Sequence, residues 1–372
     1  MHEPRPTRAG KRRTQTPVFN VPIGVHGEMR WQVYDGDGSP TLADVRSRDG
    51  HTRRVHEMAP RRNMILNGGL DDWCGLSDGS SSLRSSSGNR DVLYVGTGST
   101  APDPDDTELD AVAQQGTTAG TNDNQSLQNI NGGTVRRYSI TVSRRLTMTA
   151  DRNLTEYAMG RSAAANPLIR ELFRDESNDP ITISLLNGKI IQVDHTLHIE
   201  LPRSGLILPL DVENRDAANN LVDTDQFDVE VGMIDSSSTN STTFIGAGRC
   251  ASPGNTASSG STVAYRFHTE PTLPVASPSI VSITGADTLT GAPYSRDEYG
   301  AGDHHRVRRC SFTDAQFQGL AYAYAVAFGA SQSSGSPRAI QGWVFKFDDP
   351  NTFTKAEPNS LQIAYRTQLR RV

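Results

Sequence analysis

The amino-acid sequence predicts an all-β protein, an antiparallel jelly-roll or sandwich-like fold behind an extended N-terminal arm. Three observations carry the prediction. Segments that alternate apolar and polar residues recur along the chain, the period-2 signature of strands with one buried face. Glycine (33) and proline (20) are abundant beside long Ser/Thr/Asn tracts, a composition that favours short strands and many turns. Helical stretches are few and short, so the crossover helices that a parallel sheet requires are missing.

Residues 1–60 read as an extended basic arm and linker. Met1 to Arg13 holds Arg5, Arg8, Lys11, Arg12 and Arg13 beside Pro4 and Pro6, and lacks the apolar centre of a signal peptide. A short apolar stretch from Val18 to Val25, the turn Tyr34-Asp35-Gly36-Asp37-Gly38 and the run from Arg46 to Arg62 complete the region. The proline- and arginine-rich stretch from Met1 to Arg13 has too little apolar surface to offset its own ordering entropy, so it is expected to dock on an acidic neighbouring subunit. Arg5, Arg8, Lys11, Arg12, Arg13, Arg53 and Arg54 are therefore the candidates for an assembly interface.

Residues 61–205 are expected to form a β domain, or the first half of a sandwich, and residues 206–372 the second. The clearest hairpin joins Ile181–Leu186 to Lys189–Leu201 through Asn187-Gly188, a pair suited to a type I′ turn. In its second strand Ile191, Val193, His195, Leu197, Ile199 and Leu201 should face the core, and Gln192, Asp194, Thr196, His198 and Glu200 water. Tyr138, Ile140 and Val142 mark another strand, and Phe227, Val229, Val231 and Met233 a third. From Ala321 to Phe328 large residues oppose a face of alanines, which allows a close neighbour there. Leu361, Ile363, Tyr365, Thr367 and Leu369 form the inner face of a strand near the C-terminus. Glu108 to Gln115 and Ser162 to Phe173 are short helical candidates, the second interrupted by Pro167.

Chemistry is sparse. The net charge of −5 gives the whole chain no electrostatic footprint for nucleic acid, and no apolar run reaches the roughly 18 residues of a membrane helix. The 3 cysteines, Cys74, Cys250 and Cys310, are widely spaced and read as buried thiols. No nucleophile elbow, phosphate loop, His-Glu-x-x-His pair or dinucleotide fingerprint is present. Asp103-Pro104-Asp105-Asp106 lacks the spacing of a calcium loop and reads as a turn in which Asp106-Thr107 caps a helix. Asp303-His304-His305 would send adjacent side chains to opposite faces of a strand, and the neighbours Asp71-Asp72 cannot face each other across a sugar. No catalytic, cofactor-binding or metal-binding residue, and no cofactor, is expected.

Several elements nevertheless form a familiar order: Asn63-Met64-Ile65-Leu66-Asn67-Gly68-Gly69-Leu70-Asp71, then Tyr94-Val95-Gly96-Thr97-Gly98-Ser99-Thr100-Ala101-Pro102 with Asp106-Thr107-Glu108-Leu109, then Asn153-Leu154-Thr155-Glu156-Tyr157-Ala158-Met159-Gly160, then Leu172-Phe173-Arg174 and the hairpin from Ile181 to Leu201. This order resembles a group of tailed-bacteriophage virion proteins, over residues 63–202 and more faintly over 340–372. It departs at Arg174-Asp175, where the group has Ser-Arg, and at Tyr157, where the group has a small or β-branched residue. The resemblance implies a collar, baseplate or fibre-attachment protein of the phage tail, located in the virion, and it transfers no catalytic residue. The expected partners are copies of the same chain in a ring or trimer and other tail proteins. The alternative is a receptor- or carbohydrate-binding fibre module, which would need exposed Trp or Tyr platforms.

Overall fold

The computed structural model describes residues 18–75, 90–161, 167–215, 221–235, 262–276, 286–290, 294–296, 302–312, 321–328, 341–348 and 361–372. It is mostly antiparallel β-sheet, as expected. In chain order the strands before the first long crossing are β1 (Val18–Tyr34), β2 (Ala43–Ser47), β3 (Thr52–Val55), β4 (Glu57–Ile65), β5 (Val92–Gly96), β6 (Val112–Gly116), β7 (Thr118–Ala119), β8 (Asn124–Ile130) and β9 (Val135–Thr147). They are followed by β10 (Arg152–Leu154), β11 (Glu156–Gly160), β12 (Pro167–Leu172), β13 (Ile181–Leu185) and β14 (Ile190–Pro202). The remainder are β15 (Leu206–Arg215), β16 (Leu221–Asp235), β17 (Thr262–Phe267), β18 (Val275–Ala276), β19 (Ala286–Thr290), β20 (Tyr294–Arg296), β21 (His305–Phe312), β22 (Ala323–Phe328), β23 (Gln341–Phe347) and β24 (Leu361–Arg371). A single α-helix among the described residues, α1 (Asn67–Gly75), lies between β4 and β5.

The strands form a 13-stranded sheet, a 4-stranded sheet ordered β10-β13-β2-β3 and a 7-stranded sheet built on β15-β16-β23-β22-β17-β19. β1 organises the first of these. Its 17 residues, at about 3.3 Å each, span roughly 55 Å. Residues Gly24–Tyr34 pair antiparallel with β14 on one side. On the other side Val18–Val25 pair parallel with β24, and Gly27–Gln32 pair antiparallel with β4. Val372 N donates to Val25 O (3.1 Å) and Arg62 Nη1 to Val372 O (3.1 Å) where those two partners meet.

From Val18 onward the segment expected as arm and linker is instead built of strands β1 to β4. Phe19, Val21, Ile23, Val25, Met29, Trp31 and Val33 alternate and are all buried, so β1 is a core strand. Its pattern is disguised by Pro22, Gly24 and Gly27. Pro22 falls where no strand flanks β1 on the β14 side among the described residues, a position that tolerates a missing N–H. Residues 1–17, with Arg5, Arg8, Lys11, Arg12 and Arg13, lie outside the described residues.

The largest apolar cluster draws residues from all three sheets, and two smaller ones lie beside it. At one end Phe19 of β1 stacks on Phe345 of β23 (4.7 Å between ring centres), and Phe345 meets Tyr365 of β24 at 5.6 Å. At the other end Trp31 meets Phe173 edge-on at 6.3 Å, and Tyr157 packs on Phe173 at 5.3 Å. Burying each such aliphatic or Phe side chain contributes roughly 1.5–3 kcal/mol. β1 belongs to both ends, and the chain on both sides of residue 205 shares one sheet, because β20, β21 and β24 join the 13-stranded sheet beside β1.

Two further expectations change. The segments flanking Asn187-Gly188 are strands, but they do not pair: β13 joins β10 and β2, whereas β14 joins β1 and β9. Gly188 has a positive φ of 82° and Asn187 does not, so the turn is not type I′ and passes the chain from one sheet to another. Strands occupy the described parts of the helical candidates: β6 takes the second half of Glu108 to Gln115, and β12 begins at Pro167. Pairing of β12 with β11 and of β6 with β5 overrides a weak helical pattern.

Candidate functional site

Two polar clusters are buried within the large sheet. The first gathers residues from elements far apart in sequence. Glu156 on β11 and Arg170 on β12 lie on the same sheet face, because Glu156 sits opposite Leu172 and Ala158 opposite Arg170. The loop from Thr97 to Ala111 folds over that face, with Leu109 buried against Tyr94 and Ala158. Glu156, fully buried, accepts hydrogen bonds from Gly98 N (3.0 Å), Ala111 N (3.0 Å), Asp110 N (3.3 Å) and Arg170 Nη2 (2.9 Å) and Nε (3.2 Å). Arg170 also binds Asp106, Asp110 (3.0 Å) and the Thr100 carbonyl (3.2 Å).

The expected helix cap at Asp106-Thr107 does not form, since Asp106 is drawn to the guanidinium. Burial pushes the Arg170 pKa down, but its bonds to Asp106 and Glu156 outweigh burial and the net shift is upward. Hydrogen bonding from the Thr100 side chain, helped by Thr100 N (2.8 Å to Asp110 Oδ2), is the chief reason that the Asp110 carboxyl titrates below its usual range.

Glycine is required in this loop by space. A Cβ on Gly96 would lie 2.5 Å from Glu156 Oε1, and one on Gly98 2.4 Å from the same oxygen and 2.2 Å from Asp110 Cβ. A Cβ on Gly69 of α1 would lie 2.4 Å from the Leu168 carbonyl oxygen, so the helix can lie against β12 only without a side chain there. The loop and strand elements of the sequence resemblance thus meet in one brace. Its parts are legible as short motifs, but nothing local marks Arg170, because Asp106 is 64 residues away in the chain and Glu156 is 14.

The second cluster is the polar face shared by β1, β14 and β9. It was expected to face water, yet Gln32, Gln192, Asp194, His26, His198, Ser139 and Ser143 are all buried. Towards one end the residues satisfy one another. Ser143 Oγ donates to Asp194 Oδ1 (2.6 Å), Gln192 Nε2 to the same atom (2.9 Å), and Asn122 Nδ2 to Asp194 Oδ2 (2.7 Å).

Towards the other end His26 sits opposite His198 in register, the rings stacked at 4.5 Å. His198 Nδ1 is 2.7 Å from Ser139 Oγ, whereas His198 Nε2 and His26 Nδ1 make no hydrogen bond. Glu28 Oε2 lies 3.5 Å from His198 Nε2. Glu200 is 4.0 Å from His26 Nδ1 but is held by Arg137 Nη2 (2.6 Å) and Nε (2.9 Å). Burial, then the neighbouring His198, lowers the His26 pKa; interaction with His198 lowers that of Glu28.

On the apolar face Arg90 is buried and donates to His195 Nδ1 (2.8 Å) and the Ile140 carbonyl (3.2 Å). Burial, reinforced by Arg90, holds His195 neutral, so its Nδ1 acts as the acceptor. A Cβ on Gly27 would lie 2.7 Å from His195 Nε2 and 2.3 Å from Asn63 Oδ1.

The assembly candidates Arg53 and Arg54 lie exposed on β3, the outer strand of the 4-stranded sheet. Arg53 pairs with Glu176 (3.0 Å) and Arg54 with Asp44 (3.8 Å), exposed contacts worth little by themselves. The other weighed groups separate. Asp71 accepts from Gly302 N (2.9 Å) and is 3.4 Å from His304, while Asp72 pairs with Arg161 (3.1 Å). His305 Nδ1 is 2.8 Å from the Asp303 carbonyl. Trp31, Trp73 and Trp343 are all fully buried. Comparison with protein-family models, with curated proteins and with solved structures finds no match for this chain.

Proposed function

We propose that this chain is a non-enzymatic structural protein that works as one copy of a symmetric homo-oligomer, a component of a bacteriophage tail in contact with other tail proteins. The observation that carries the reading is the brace. The elements that resemble tailed-phage virion proteins, Val95 to Pro102, Asp106 to Leu109 and Asn153 to Glu156, are far apart in sequence yet close on one another around Glu156 and Arg170. Motifs that cooperate in one structure argue for a shared framework, and their charged groups are used up in holding it. The alternative, a carbohydrate-binding module, gains nothing from three tryptophans that are wholly inside.

In this reading the basic residues Arg5, Arg8, Lys11, Arg12 and Arg13, ahead of β1, and Arg53 and Arg54 on β3 meet acidic surfaces of neighbouring copies. Light scattering of the full chain should give an integer multiple of the chain mass. Deleting residues 1–13 should leave the fold intact and weaken assembly, most of all at high ionic strength, where exposed ion pairs are screened. A full chain that stays monomeric at low and high salt would overturn the reading.

A further inference from the structure

We propose that His26, Glu28 and His198 form a binding site for one divalent transition-metal ion of zinc-like preference. The ligands come from two strands in fixed register. His26-Gly27-Glu28 on β1 and His198-Ile199-Glu200 on β14 each carry His and Glu two residues apart, on one face of a strand. Because His26 is paired with His198, the two imidazoles adjoin, and Glu28 reaches the pair diagonally. One ligand atom from each of the three residues lies within 4.8 Å of the others. Around a four-coordinate ion at about 2.0–2.2 Å such atoms stand roughly 3.3 Å apart, so a modest inward movement completes the set. The Glu28 side chain, 38% exposed, is free to make it.

Three features distinguish this cluster from an ordinary polar patch. Both histidines are more than nine-tenths buried, and each has a ring nitrogen without a hydrogen bond, an uncommon and costly state for a buried polar atom. The other nitrogen of His198 is held by Ser139 Oγ, the outer-shell contact that fixes the orientation of a ligating imidazole. Glu28 lies at the solvent side of the cluster, its side chain 38% exposed, so an ion has a path in. The charges facing the pair are Glu28 and Glu200 against Arg137 and Arg62. They nearly balance, so direct ligation, rather than a diffuse negative field, must hold the ion. Two nitrogens and one carboxylate oxygen suit zinc, and three protein ligands leave a fourth position for water.

The test is titration of the full-length, chelator-stripped protein with Zn2+ by calorimetry, and with Co2+ by visible absorption. One equivalent should bind, with intense Co2+ bands of low coordination number and a raised unfolding temperature. His198→Ala and Glu28→Gln should each weaken binding more than about a hundredfold, and Ser139→Ala about tenfold, as for an outer-shell contact. Each variant should keep the far-ultraviolet circular dichroism of the parent. Glu28, at the open side of the cluster, provides the decisive variant should His198→Ala fail to fold. Zinc affinity and Co2+ spectra identical in the parent and in Glu28→Gln would overturn the proposal.

Discussion

The brace and the histidine pair are both polar groups withdrawn from water, and they differ in one respect. Every oxygen of Glu156 and each nitrogen of Arg170 is hydrogen-bonded, whereas His26 and His198 each retain a ring nitrogen with no hydrogen bond and only a carboxylate at 4.0 and 3.5 Å. A buried charge that is fully bonded acts as a fastener, and its removal leaves the rest of the bonds pointing at nothing. A buried imidazole that is half bonded contributes little to stability and remains able to take another ligand. Satisfaction, more than burial, separates a structural polar group from a site.

The largest expected effect comes from breaking the brace. Glu156→Ala should cost about 3–5 kcal/mol in urea unfolding, since it breaks a buried ion pair and leaves Gly98 N, Ala111 N and Arg170 Nε without an acceptor. Arg170→Met in the same background should cost much less than it does alone, and additive losses would refute the coupling. Gly98→Ala should cost about 1–3 kcal/mol by overpacking against Glu156 and Asp110.

A smaller effect is expected from pH. His195 is held neutral in the fold, chiefly by burial, while in the unfolded chain it takes a proton near its ordinary value of 6.5. Its folded pKa is the lower one, so stability is complete above about pH 6.5 and falls as pH drops below it. Asp72 acts oppositely: burial raises it to about 6, so its contribution is present in acid and lost as pH rises through about 6. Unfolding free energies at several pH values should therefore fall more steeply below pH 6.5 in Asp72→Asn than in the parent. The smallest effect is expected at the pair: His26→Leu, in metal-free protein, should change stability by less than about 0.5 kcal/mol, because its Nδ1 has no hydrogen bond to lose.

How much of this was legible depends on how local the cause is. The strands β9, β14 and β24 were readable because alternation is a property of consecutive residues. What alternation does not encode is the partner, so the turn at Asn187-Gly188 suggested a hairpin although its two strands enter different sheets. β1 escaped because a proline and two glycines interrupt its apolar rhythm and basic residues precede it. Gln192 and Asp194 were assigned to water correctly by chemistry and wrongly by context: Asn122 and its loop cover them. The His-x-Glu spacing was present in both strands, but only pairing reveals that His26 and His198 touch, and one of the two segments had been assigned to the arm.

The place of β24 also bears on how the chain can be made. Translation delivers β1 more than 300 residues before β24, yet Val18–Val25 find their parallel neighbour only there. Until then β14 and β4 can engage the second half of β1, while Phe19, Val21 and Ile23 lack the strand beside them. Contacts this remote in sequence close slowly, and unpaired strand edges invite association with other chains. The nascent molecule thus carries an unfinished edge until β24 emerges and seals it.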